Sequence, residues 1–119
     1  MAKQTISKTK IKKTVKNYFS SRSSTYQKED EIISLANSAV EYSLDIWLEG
    51  NYGGLDKCVR QEIDNLCIFN QNLMIIKIYY LDNPQSEKTL EDCEIEFYQD
   101  IYNICGILIK DYSLKQLLK

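Results

Sequence analysis

The sequence predicts an all-α protein, a bundle of four to five helices, on three observations. Its 119 residues include one Pro and four Gly, too few breakers for the many tight turns of an all-β sandwich. Apolar residues recur three and four positions apart in stretch after stretch, which is the helical period. Strand-like density occurs in one place, MIIKIYY at 74–80, and a lone strand has nothing to bond to. The expected helices span about 7–21, 25–50, 55–81, 84–109 and 112–118. An α+β arrangement with a strand at 74–80 is the minor alternative. A chain of this length buries roughly two thirds of its unfolded surface, enough for one domain. That domain is expected over 7–119, behind a disordered stretch at 1–6.

Taken in order, Ile11, Val15, Tyr18 and Phe19 form one apolar stripe on the first helix. The run SSRSST at 20–25 breaks the pattern, and Ser24 with Gln27 offers a capping box for the next helix. There Ile33, Ala36, Val40, Leu44 and Trp47 share a face widened by Ile32, Ala39 and Ile46. Glu29, Asp30 and Glu31 sit where acidic groups meet the positive end of the helix dipole. Gly50 stops that helix, and NYGG at 51–54 can reverse the chain.

The third stretch places Leu55, Val59, Ile63, Leu66, Leu73 and Ile76 at near-helical spacing, interrupted by Asn70, Gln71 and Asn72. It reads either as one long helix or as a helix to Asn70 followed by the strand at 74–80. Asn83 and Pro84 suit a helix start. Beyond them Leu90, Cys93, Phe97, Ile101, Ile104, Cys105 and Leu108 alternate three-four, as in a long amphipathic helix. A short last helix is expected after Gly106 and Asp111.

The formal charge of −2 hides a strong polarity. Residues 1–28 carry eight basic side chains and no acidic one; the other 91 hold seven basic and seventeen acidic, a net of −10. The chain is a basic arm on an acidic body. Lys8, Lys12 and Lys16 lie at i, i+4 and i+8 with Lys13 beside them, so folding the arm raises a positive ridge that repels itself. A phosphate backbone relieves that repulsion. Lys8, Lys10, Lys12, Lys13, Lys16 and Arg22 are therefore the candidate nucleic-acid contacts; the competing reading is a solvated face resting on the acidic body.

With no histidine in the chain, His-based acid–base chemistry, Ser-His and Cys-His nucleophiles and His-ligated zinc are excluded. Phosphate-loop, dinucleotide and nucleophile-elbow motifs are absent from the sequence. No catalytic residue, metal or cofactor is expected. Cys58, Cys67, Cys93 and Cys105 lack C-x-x-C spacing and lie in apolar surroundings, so they read as free thiols in a reducing compartment. Neither a membrane-length apolar run nor a signal-peptide core is present, which points to the cytoplasm.

The stretches Asp30-Glu31-Ile32-Ile33-x-Leu35-Ala36, Leu48-Glu49-Gly50 and Ile101-Tyr102-Asn103-Ile104-Cys105-Gly106-Ile107-Leu108, before the terminal Leu114 to Leu117, resemble the small subunit of the phage terminase, the DNA-packaging motor. The match covers about half the chain. That resemblance implies a non-catalytic, homo-oligomeric protein that binds double-stranded DNA and works beside a large partner protein, in a host cytoplasm. A reading of another class stays open: a helical protein–protein module, inhibitor- or antitoxin-like, that covers a basic partner protein with Glu87, Glu91, Asp92, Glu94, Glu96 and Asp100.

Overall fold

Ser7 opens the first helix by accepting a hydrogen bond from the Lys10 amide at 3.4 Å. This computed structural model describes residues 6–21, 29–50, 53–81 and 85–117. Helix α1, Lys8–Ser20, carries no acidic residue in its first turn. Its lysines oppose the dipole there, and what holds it is its buried stripe of Ile11, Val15 and Phe19. Ile6, expected to fray with the N-terminus, is buried and joins the same core; residues 1–5 lie outside the described ones.

Helix α2, Glu29–Leu48, is the central element and touches all four others. Ile32, Ala36, Ala39 and Val40 are fully buried along it, and its two alanines let neighbours approach closely. It stops where Gly50 takes φ +84° and donates its amide to the Trp47 carbonyl. The capping box expected at Ser24 and Gln27 lies outside the described residues, as do Asn83 and Pro84.

The long helix expected over 55–81 is two helices. Helix α3, Leu55–Leu66, and helix α4, Asn70–Tyr80, meet at a corner of three residues. Asn72 makes that corner: its side-chain amide donates to the Leu66 carbonyl at 3.0 Å, taking up one of the acceptors that α3 leaves at its end. Ile68 and Phe69 stand on the corner, 73% and 60% exposed. The strand considered at 74–80 is helix, with Ile76, Tyr79 and Tyr80 buried at helical spacing. Tertiary burial has overridden the β-branched and aromatic composition.

Helix α5, Leu90–Leu117, begins six residues later than expected and runs through the predicted break. Thr89 and Asp92 start it with reciprocal side-chain to amide bonds, each 3.1 Å. Past Gly106, Leu108 is buried, Ile109 packs on the core, and the Tyr112 ring meets Trp47 edge-on at 6.5 Å. A glycine costs a helix about 1 kcal/mol, and these contacts outweigh it. No strand occurs among the described residues.

Candidate nucleic-acid interface

Helix α1 is fixed to the body by one face, and a buried carboxylate does much of the fixing. Asp100 on α5, 4% exposed, accepts from the Tyr18 hydroxyl of α1 at 2.9 Å and from the Tyr80 hydroxyl of α4 at 2.6 Å. Asn103 donates to the Tyr18 oxygen at 3.2 Å. Phe19 packs edge-on against Tyr79 with ring centroids 5.8 Å apart. Three helices thus converge on one acidic group, and a charged acceptor strengthens each bond.

The docking sorts the candidate lysines. Lys8 Nζ lies 3.2 Å from Glu41 Oε1 on α2. Lys10 turns to the other side and pairs with Asp111 on α5, which Lys115 also approaches at 3.9 Å. Partial desolvation, and then the neighbouring Lys115, hold the Lys10 ammonium below the usual lysine pKa. Lys12, Lys13 and Lys16 are exposed and form no ion pair among the described residues. They occupy an arc of about 100° around the helix. Arg22 lies outside the described residues.

The six acidic candidates are dispersed. Glu87 is exposed, Asp92 is engaged in the α5 cap, and Glu96 pairs with Lys88 at 2.9 Å. Lys88 also donates to the Tyr80 carbonyl, closing the end of α4. Asp100, expected on the interaction surface, is buried within the helix-docking network, because Tyr18 and Tyr80 supply the donors that let a carboxylate leave water.

Glu91 and Glu94 alone converge, toward α3. There a groove of about 400 Å³ has Ile63, Ile95 and Tyr98 in its lining and Asp64, Glu91 and Glu94 as its acids. Arg60 lies over the Tyr98 ring, 4.9 Å from its centroid, and approaches Asp56 at 4.0 Å. None of the three carboxylates forms an ion pair among the described residues. Burial, then the charges of Asp64 and Glu91, raise the Glu94 pKa above the usual glutamate value. The sequence carries no local signal for Asp64 or Tyr98 as part of this set.

A wider groove of about 590 Å³ borders Ile46, Lys57, Cys58 and Gln61. Burial raises the Cys58 pKa, which keeps that thiol protonated at neutral pH. The four cysteines form no disulfide among the described residues: Cys58, Cys93 and Cys105 are buried and Cys67 is half-buried. Burial pushes Cys67 to about 11 and Cys105 to about 12. No helix among the described residues is long and apolar enough to cross a membrane.

The fold and this surface define a class: a small all-α bundle that displays a one-sided basic helix. Comparison with protein-family models, curated proteins and solved structures finds no match for the chain.

Proposed function

We propose that this chain is a non-enzymatic DNA-binding protein, an accessory to DNA packaging of the phage or mobile-element type, that grips duplex phosphates with α1. One observation carries the reading: α1 is seated by Ile11, Val15 and Phe19, while Lys12, Lys13 and Lys16 stay exposed and without an ion pair among the described residues. A helix already held by its buried face brings these lysines to a phosphate backbone without first ordering a flexible tail. Such contacts fix position on the duplex and confer little sequence preference. The packaging role rests on the terminase resemblance of the residues named above.

Fluorescence anisotropy with a mixed-sequence duplex, titrated with salt, tests it. Three phosphate contacts give a slope of log K against log salt of about −3. The triple variant K12E/K13E/K16E is expected to lose duplex binding while keeping its helical circular dichroism and its Tm. Equal binding by the variant and the wild type would refute the assignment. A second reading, the acidic module that covers a basic protein, has the Glu91 and Glu94 groove in its favour. In that case duplex affinity is absent, and Glu→Lys changes at those two positions abolish capture of a purified basic partner.

A further inference from the structure

The described residues present two charged surfaces of opposite sign. On α1, Lys12, Lys13 and Lys16 are exposed and have no ion-pair partner among the described residues. Across the body, three acids, Asp64, Glu91 and Glu94, outnumber the single cation Arg60 in the lining of a groove whose apolar part includes Ile95, itself 55% exposed. The two surfaces face different ways. Asp100, which binds Tyr18 of α1, and Tyr98, which meets Arg60 of α3, are two residues apart on α5 and so about 200° apart around its axis. One molecule cannot bring its own ridge to its own groove.

We propose that the α3–α5 groove receives α1 of a second copy of this chain, in a head-to-tail contact that duplex DNA and other polyphosphates undo. Lys12 and Lys16 stand one turn apart, about 6 Å along the helix, and Glu91 and Glu94 stand about 4.5 Å apart along theirs. The two pairs can therefore meet side by side, with Lys13 toward Asp64. Lysine stems lie over Ile95 and Tyr98 while the ammonium groups reach the rim, as amphipathic side chains do on apolar surface. The Tyr98 ring already carries one cation, Arg60. Contact neutralises repulsion on both partners, the lysines at i, i+4 and the glutamates at i, i+3.

Because ridge and groove lie on different faces, the contact is heterologous, and repetition builds rings or open chains instead of closed two-fold dimers. Its carboxylates occupy the lysines as phosphates do, so self-association and DNA binding exclude each other. The contact itself does not depend on the DNA reading.

Sedimentation velocity on the full chain tests it. The wild type is expected to show concentration-dependent association at low salt that high salt or inorganic polyphosphate reverses. The variants E91K/E94K and K12E/K16E, each altered at exposed or half-buried positions, are expected to associate more weakly, on the order of 100-fold, because like charges then face each other. Mixing the two in equal amounts is expected to restore association, since each now complements the other. A wild type that stays monomeric at low salt overturns the proposal whatever the folding of the variants, and leaves duplex affinity to stand or fall by its own titration. Association unchanged in both variants, or two variants that stay apart on mixing, overturns it equally.

Discussion

Asp100 and Glu94 lie six residues apart on one helix and meet opposite fates. Asp100 faces α1 and α4, is buried, and takes hydrogen bonds from Tyr18 and Tyr80. Glu94 faces α3, is half-buried, and has two further carboxylates as neighbours. The first is an acid whose charge is answered inside the fold. The second is an acid whose charge the described residues leave unanswered. Burial alone does not separate a structural carboxylate from one available to a ligand; what separates them is whether donors converge on it. The same division runs along α1, where Lys8 and Lys10 are paired to the body and Lys12, Lys13 and Lys16 find no ion pair among the described residues.

Removing the answered charge has the largest expected effect. Asp100→Ala leaves the Tyr18 and Tyr80 hydroxyls without this acceptor, and bonds to a charged group contribute about 1.5–3 kcal/mol each. A loss of about 3 kcal/mol is expected, read as a fall in Tm on the order of 10 °C. If Asp100→Ala melts with the wild type, the network is not what ties α1 to α4 and α5, and the contrast with Glu94 collapses.

Next in size come the donors. Tyr80→Phe keeps the ring against Phe97 and deletes the buried bond, for an expected loss of about 1.5 kcal/mol. Tyr18→Phe, at a more open position, is expected to lose about 1 kcal/mol. Because both hydroxyls serve one buried carboxylate and either alone still solvates it, the double variant should lose more than their sum in urea unfolding. Strict additivity would show that the two tyrosines act independently.

The sequence made one side of this contrast legible and hid the other. The stripes Ile11, Val15, Phe19 and Cys93, Phe97, Ile101, Ile104 were readable because each core face is written within a single helix. The corner at 67–69 was not. Asn70, Gln71 and Asn72 read equally as a polar patch on a helix, and only the Asn72 bond to Leu66 decides for a turn. Continuation of α5 past Gly106 depends on Trp47 and on core contacts made by distant residues, which local glycine chemistry does not record. The positive sign of the arm was plain. Which lysines remain unpaired was not, since Glu41 and Asp111 belong to other helices. Asp100 looked like one more surface acid, because its donors sit 82 and 20 residues away in the chain.

The smallest effect sharpens the contrast by reversing its sign. Glu94 holds its proton more tightly in the folded chain than in the unfolded one, chiefly through burial and then through Asp64 and Glu91. Its contribution therefore favours folding below the ordinary glutamate value, about pH 4.5, and is lost as pH rises through its higher folded value. At neutral pH the ionised group weighs against the fold. Glu94→Gln, a neutral isostere, is expected to stabilise by about 0.5 kcal/mol at pH 7, the scale of a like-charge pair on a helix, with solvent screening keeping it small. The gain should shrink as pH falls and vanish below about pH 4.5, where the wild-type group is itself protonated. Thermal melts of both proteins from pH 7 down to pH 4 measure it. A destabilised Glu94→Gln would mean that Glu94, like Asp100, has its charge answered within the fold, and the groove would then have no charge left to offer a partner.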